Sequence, residues 1–270
     1  MRHPGIDSGL LATVADRLRG HTFALWFYGD SIGFEGLLAA SALRDRPSWR
    51  DFSHGLFRGW AARRHPFRAD DNTAPGLAMC RIAAEPGDEI LRGAVHDLAA
   101  HLRGRRQAHG VAITFEDTGR ALRPPYGGEA LSAEDTRLME APGAGIWFDC
   151  LHFDPPFYAA LDALFPGEGW AATAAAEALA CRDLLRDPGT GLYRHFWLES
   201  TATAFIRGWA RGQGCALLGL LDVAEMLPAR RAGEIGAAAR DLAEAMRATQ
   251  RDDGNWWALV HEPRSGEESS

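Results

Sequence analysis

A carboxylate among aromatic residues is the feature of this sequence best suited to chemistry. Asp149 follows Trp147 and Phe148 and precedes the largely apolar segment Cys150–Phe157. Removing water from around a carboxyl group favours its neutral form, which suits it to donate a proton near neutral pH. An aspartate in front of an apolar helix also commonly caps that helix. The sequence therefore supports two interpretations of Asp149, a proton donor and a helix cap.

A second unusual segment, Trp209-Ala210-Arg211-Gly212-Gln213-Gly214, follows later in the chain. The guanidinium of Arg211 could bind a carboxylate through two hydrogen bonds, and Trp209 could offer a flat face to a sugar ring. A core tryptophan beside a solvated arginine is the simpler interpretation of this pair alone.

Three further residues have the right chemistry but also a structural explanation, which the residues alone favour for Asp71 and His195. Asp71 could partner the acid, and two close carboxylates would titrate as a pair; it also stands shortly before Pro75, where a helix start is expected. His195 lies in an aromatic segment and could line a site or simply pack in the core. Trp26 likewise admits a sugar-stacking and a core interpretation.

Helices are the elements that must position these side chains, because most periodic segments have the 3.6-residue spacing of a helix. Short connections rich in Gly, Pro and Asp predict helical hairpins in a toroid or a solenoid. Val111–Phe115 is the only good strand candidate, and a long connection runs from about Arg105 to Leu138. The predicted helices are Ser8–Leu18, Ile32–Leu43, Trp49–Arg63, Pro75–Ala84, Ile90–Leu102, Phe153–Leu164, Trp170–Leu185, Gly214–Leu227 and Ile235–Met246.

Composition excludes several classes of protein. The 270 residues are 46% hydrophobic and carry a net charge of −7 without a basic stripe, so a nucleic-acid partner is not expected. No apolar run approaches the roughly twenty residues of a membrane span. The four cysteines form no CxxC pair and nothing resembles a signal peptide, which predicts reduced thiols in a cytoplasmic protein. The histidines show no metal-ligand spacing, so no metal site is expected.

Taken in order, these segments resemble the unsaturated uronyl hydrolases, which are glycoside hydrolase families 88 and 105. The resemblance covers nearly the whole chain, although Cys215 stands where the family usually has an aromatic residue. The matching segments are Trp26-Phe27-Tyr28-Gly29, Asp71 with Pro75-Gly76, Trp147-Phe148-Asp149 with Pro156-Phe157, Asp187-Pro188 with Thr190-Gly191-Leu192, His195-Phe196-Trp197, Trp209-Ala210-Arg211-Gly212 and Glu262-Pro263.

The resemblance implies an all-α fold, the (α/α)6 barrel or six-hairpin toroid, with residues 1–270 as a single domain. Asp149 would be the general acid and base, and Asp71 its carboxylate partner. The substrate-binding residues would be His195, Trp209, Arg211, Trp26 and Trp147. The family extends beyond the position of Ser270, so the resemblance also implies that the last helices of the ring are missing. A second copy of the chain could cover the apolar faces left open.

The activity implied is removal of a 4,5-unsaturated uronic acid from lyase-derived oligosaccharides by hydration of the C4=C5 double bond, without a metal or organic cofactor. Two alternatives remain open. The chain could be a truncated, catalytically impaired relative that binds carbohydrate. It could also be another α-toroid sugar enzyme such as an epimerase, which would need two histidines on different helices, and only His195 is well placed.

Overall fold

The structure, a computed structural model, describes residues 8–25, 27–64, 66–67, 75–116 and 131–268. The chain divides into two compact units, residues 1–101 and 102–270. The described residues form ten helices: α1 Ser8–Leu18, α2 Tyr28–Arg44, α3 Pro47–Arg63, α4 Gly76–Ala83, α5 Glu89–Arg103, α6 Ala133–Glu140, α7 Cys150–Leu164, α8 Trp170–Leu185, α9 Ala210–Met226 and α10 Ala229–Ala248. They also form seven short strands: β1 Gln107–Ala108, β2 Val111–Ala112, β3 Gly145–Trp147, β4 Arg194–Leu198, β5 Thr203–Arg207, β6 Trp257–Leu259 and β7 Glu262–Glu267.

The helical prediction is confirmed except for α6, which it missed, and the other main errors lie at the beginnings of helices. α1 and α8 have the predicted bounds, whereas α2, α7 and α9 begin three or four residues earlier than expected, and α10 begins six residues earlier. The first turns of α2 and α9 contain glycine, and α7 contains Pro155 and Pro156 in its second turn; both residue types have low intrinsic helix propensity and so weaken the sequence signal. The early start of α9 matters most, because it places Arg211 inside the first turn of a helix.

The long connection predicted from Arg105 to Leu138 is wrong in part, because it contains the start of α6. The strand candidate within it, Val111–Phe115, is confirmed at Val111–Ala112, which form β2 and pair with β1. The side chain of Ser132 caps α6 by accepting a hydrogen bond from the Asp135 N–H at 3.0 Å. Met139 is the one residue of this helix that is buried, so no apolar period marks it in the sequence.

The expectation of a single strand candidate is also wrong. β3, β4 and β5 form an antiparallel sheet in that order, with Trp147 paired to Phe196 and Phe196 paired to Phe205. Four of the five β4 residues are buried, so the strand has no polar alternation that would predict it. This sheet carries two of the candidate site residues.

In the first unit, α2 packs against α1, α3 and α4. The ring of Phe34 on α2 lies 4.3 Å from the ring of Phe23 and 4.6 Å from that of Phe57. Asp16 accepts a hydrogen bond of 2.7 Å from the indole N–H of Trp49 and so ties α1 to α3. These contacts give the first unit an aromatic core of its own.

In the second unit, α7 packs against α8 and α9, and α9 packs against α10. The backbones of α7 and α9 approach each other at Gly219, where an added Cβ would collide with the Leu151 carbonyl. Pro155 has no N–H to donate to that carbonyl in the helix, so the Gly219 backbone faces an acceptor that α7 itself leaves open. The pair Pro155 and Gly219 thereby allows close packing of the two helices that carry the site.

A charged cluster is buried beneath α7 and α8. Arg105 forms an ion pair with Asp154, and Glu177 accepts a long hydrogen bond of 3.4 Å from the Ala112 N–H. Burial, together with the nearby charge of Asp154, raises the pKa of Glu177 to about 8. The Glu177 carboxyl is therefore mainly protonated in the folded protein at neutral pH.

Among the described residues, every helix is too short or too polar to cross a membrane.

The protonated state of Glu177 predicts how stability depends on pH. Between its ordinary pKa of 4.5 and the folded-state pKa of about 8, the folded protein binds more protons at Glu177 than the unfolded chain does. This group therefore lowers the free energy of unfolding as pH rises. Glu177→Gln removes the ionisable group. The free energy of unfolding of this variant minus that of wild type should therefore increase by on the order of a few kcal/mol as pH rises from about 5 to about 8.

Urea unfolding at several pH values measures this difference. Glu234→Gln is the matched control, since that side chain is 62% exposed and its ion pair with Arg182 is screened by solvent. A Glu177→Gln difference that stays constant with pH would contradict the prediction.

Candidate active site

The end of β3 and the start of α7 place Asp149. The Phe148 N–H donates a hydrogen bond of 3.0 Å to the His195 carbonyl, which extends the β3–β4 pairing by one residue. The chain then turns into α7, and Asp149 takes helical angles of φ −60° and ψ −17° at the N-cap position. Its side chain makes no capping hydrogen bond within the described structure. The cap interpretation therefore does not account for this carboxylate.

His195 faces Asp149 from β4. Its Nε2 lies 3.6 Å from Asp149 Oδ1, and the side chains are 2% and 15% exposed respectively. Oδ1 is buried and has no hydrogen-bond partner within 3.5 Å among the described residues. The carboxylate thus sits just beyond hydrogen-bonding distance of the imidazole, with its other side partly open to solvent.

The imidazole of His195 is neutral in this setting. Burial lowers its pKa, the neighbouring Asp149 opposes that effect, and the charge of Arg211 lowers it again. Depending on its tautomer, a neutral imidazole presents either a donor or an acceptor at Nε2. His195 can therefore hydrogen-bond a carboxylate in one tautomer and a carboxylic acid in the other.

Trp209 and Arg211 complete the cluster from the beginning of α9. The Trp209 ring stacks on the His195 ring with centroids 3.9 Å apart and an interplanar angle of 27°. The guanidinium carbon of Arg211 lies 4.2 Å from the Trp209 ring centroid, a cation–π contact. Trp209 is the N-cap residue of α9, and Arg211 is half-buried in the first turn.

The structure corrects the sugar-stacking interpretation of Trp209. Its side chain is 3% exposed and its ring already contacts His195 and Arg211, which leaves little of the indole for a sugar. Trp209 instead supports the imidazole and the guanidinium. The partly exposed groups of the cluster are Asp149 and Arg211.

The other predicted site residues have different positions. The Trp147 ring lies 5.4 Å from the ring of Phe115 and 6.2 Å from that of Phe196, so it packs on the aromatic core around the sheet. Trp26 and Asp71 lie outside the described residues, and their predicted roles stay predictions. The structure therefore brings together Asp149, His195, Trp209 and Arg211.

Phe148 is a site residue whose role the sequence did not reveal. Its buried ring meets the rings of His195 and Trp209 edge to face, at 5.9 Å and 6.5 Å. A Cβ at Gly212 would lie 2.5 Å from the Phe148 ring and 2.6 Å from the Trp209 ring. The first turn of α9 can approach the cluster this closely because position 212 has no side chain. The closely spaced glycines of the Arg211 segment were the available signal.

Two glycines of α9 give a matched test of this packing. Gly212→Ala should lower the free energy of unfolding by about 1–3 kcal/mol, because the methyl group overpacks the Phe148 and Trp209 rings. Gly214→Ala meets nothing within 4 Å and should raise it by up to about 1 kcal/mol, as expected for alanine in a helix. Chemical denaturation measures both values, and a stabilised Gly212→Ala variant would disprove the close approach.

Comparison with solved structures reveals the same fold. A glycoside hydrolase from family 105 of C. acetobutylicum ATCC 824 superimposes with a TM-score of 0.72 at 17% identity, over 95% of this chain and 70% of that chain. A possible family 105 member from Salmonella enterica serovar Paratyphi A superimposes with a TM-score of 0.71 at 17% identity, over 99% of this chain and 74% of that chain. The unsaturated glucuronyl hydrolase of Bacillus sp. GL1, described as responsible for glycosaminoglycan degradation, superimposes with a TM-score of 0.65 at 18% identity, over 96% of this chain and 71% of that chain.

The sequence comparisons add the family. No curated protein matches the sequence. The family model for Glycosyl Hydrolase Family 88 matches residues 16–270, which is most of the chain. The predicted fold class, an α/α toroid, agrees with this match and with the solved structures. The chain belongs to glycosyl hydrolase family 88.

Proposed function

We propose that this glycoside hydrolase removes a 4,5-unsaturated uronic acid from lyase-derived oligosaccharides, with Asp149 as both general acid and general base. The observation that carries the proposal is the Asp149 carboxylate itself. It stands at the start of a helix without capping it, lies 3.6 Å from a buried imidazole and is partly exposed. A carboxyl group in this position can exchange a proton with a bound sugar.

One carboxyl group is sufficient for hydration of the double bond. Protonated Asp149 gives its proton to C4, and positive charge develops at C5. The ionised carboxylate then takes a proton from water as the water oxygen bonds to C5, which restores the acid. The resulting hemiketal opens to a keto sugar and releases the linked sugar. His195 can hydrogen-bond Asp149 in both its protonated and its ionised state, because a neutral imidazole can accept or donate at Nε2.

Arg211 is suited to bind the carboxylate of the unsaturated uronic acid. Its guanidinium is half-buried against Trp209 and acts electrostatically on His195, so a carboxylate held by Arg211 would bring its sugar ring to the Asp149 side of the cluster. The neutral imidazole places no second positive charge beside the substrate. Asp71 is proposed as the carboxylate partner of Asp149, and Trp26 and Trp147 as further substrate-binding residues. No metal or organic cofactor enters the proposal.

The acid role of Asp149 is tested by its amide variant. Asp149→Asn should lower kcat on an unsaturated disaccharide by about 100- to 10,000-fold, because the amide cannot transfer the proton. The reaction is followed as loss of the ultraviolet absorbance of the double bond conjugated with the carboxylate.

Asp162→Asn is the control on the same helix. Asp162 Oδ1 accepts a hydrogen bond of 3.0 Å from the Ala171 N–H, which an asparagine oxygen can also accept, so its kcat should stay within about twofold of wild type. An active Asp149→Asn enzyme would refute the assignment of the acid. Binding without turnover by the wild-type protein would support the impaired carbohydrate-binding relative instead.

The role of Arg211 is tested with two substrates that differ in charge. Arg211→Ala should raise KM for the unsaturated disaccharide with an unesterified carboxylate by about 10- to 100-fold, as expected for loss of a charged hydrogen-bonded pair. Arg211→Lys keeps the charge but not the two-pronged geometry and should lie between. Neither change should affect a methyl-ester substrate to the same degree. An equal loss on acid and ester would show that Arg211 does not bind the carboxylate.

A homo-oligomer and a cytoplasmic location remain further proposals. Leu218 and Leu221 stand three residues apart on α9 and are 56% and 50% exposed, which supports contact with a second copy of the chain. The four cysteines are free thiols, as in a reducing compartment.

A further inference from the structure

Gln213 is a fully buried amide at the end of the first turn of α9, with hydrogen bonds to two backbone segments. Its Oε1 accepts from the Tyr193 N–H at 2.8 Å, and its Nε2 donates to the carbonyls of Tyr193 at 3.0 Å and Trp209 at 3.3 Å. By accepting from and donating to Tyr193, the side chain pairs with that residue as a neighbouring strand would. The amide thus binds α9 to the beginning of β4.

The two anchored residues are the ones that precede the functional side chains. Tyr193 lies two residues before His195, and Trp209 lies two residues before Arg211. His195 in turn holds Phe148 through its carbonyl, and Phe148 adjoins Asp149. The side chain of Gln213 therefore connects the backbone that carries the proposed acid to the helix that carries the proposed substrate-binding arginine. The β4–β5 pairing and the Gly208 N–H to Tyr193 carbonyl hydrogen bond also join these segments, but they end before α9 begins.

The chemistry of Gln213 suits this task better than an apolar side chain would. An amide buried in the core is tolerated when its donor and acceptor are satisfied, and both are satisfied here. A methionine of similar length would fill the volume but leave the Tyr193 N–H without its partner. The stacking of His195 on Trp209 has no direction along the ring plane, and the backbone hydrogen bond of 3.1 Å from the Gly208 N–H to the Tyr193 carbonyl lies before the helix, so neither contact fixes the first turn of α9 against β4.

We propose that Gln213 is a positioning residue, which sets the separation between the Asp149–His195 pair and the Trp209–Arg211 pair. The inference rests on the proposed function, because that function requires the sugar held by Arg211 to meet Asp149. A displacement on the order of 1 Å between such groups can cost about 100-fold in rate. Gln213 does not itself touch the substrate in this arrangement.

Gln213→Met tests the inference by removing the hydrogen bonds and keeping the bulk. We expect kcat to fall by about 10- to 100-fold while KM changes by less than about threefold, because the arginine still binds its carboxylate. Leu220→Ala is the control for stability, since Leu220 is fully buried on the same helix. It should lower the melting temperature but leave kcat unchanged at temperatures where the variant is folded.

Gln213→Glu provides a signature that a loss of stability would not produce. Protonated, the carboxyl group keeps one donor and one acceptor, so activity should be near that of wild type at low pH. Ionised, it would face the carbonyls of Tyr193 and Trp209 with negative charge, and kcat should fall at least about tenfold further than in wild type as pH rises. Circular dichroism at each pH confirms that the variant remains folded.

A measurement without turnover separates this inference from the proposed function. The Trp209 ring, stacked 3.9 Å from the His195 ring, should shift the NMR resonances of the His195 ring protons, so Gln213→Met should change these resonances and Leu220→Ala should not. Unmoved protons together with a wild-type pH profile in Gln213→Glu would overturn the positioning role. If the wild-type protein does not hydrate any unsaturated uronide, the proposed function is refuted. If the His195 resonances nevertheless change in Gln213→Met, Gln213 remains the residue that sets this separation.

Discussion

The stack of the His195 imidazole on the Trp209 indole is the contact on which the candidate site depends. The rings lie 3.9 Å apart and join the β3–β5 sheet to the start of α9. Aromatic pairs of this kind add about 0.5–1.5 kcal/mol beyond the area they bury. The same burial lowers the pKa of His195 and so keeps its imidazole neutral beside Asp149. Burial of the stacked rings therefore both stabilises the packing of this site and keeps its histidine neutral.

Close backbone packing is the second requirement, and two glycines of α9 satisfy it. Gly212 lets the first turn lie against Phe148, and Gly219 lets the middle of the helix approach the Leu151 carbonyl on α7. The helix that carries Arg211 and the helix that begins after Asp149 are thereby held together. Side chains at either position would push α9 away from the rings, since interiors packed to this density absorb little extra volume.

The sequence predicted the helices well because an amphipathic helix leaves a periodic record of its buried face. It did not predict the β3–β5 sheet, because β3 has only three residues and β4 is buried on both faces. It also left the role of Trp209 undecided, since a flat aromatic ring can stack on a sugar or on a histidine. The observed choice depends on His195, which is far from Trp209 in the unpaired chain and adjacent to it once β4 is in place.

By itself, the sequence determined the helical segments, the family resemblance and the identity of the residues worth testing, because these properties follow from local periodicity and from motifs in order. Only the tertiary structure decided that Asp149 leaves its helix uncapped, that His195 lies against it, and that Trp209 is buried beneath Arg211. These facts depend on contacts between β3, β4 and α9, which are separated by helices and turns along the chain. No local pattern records such contacts, because they form when strand pairing, ring stacking and glycine-mediated helix packing are satisfied together.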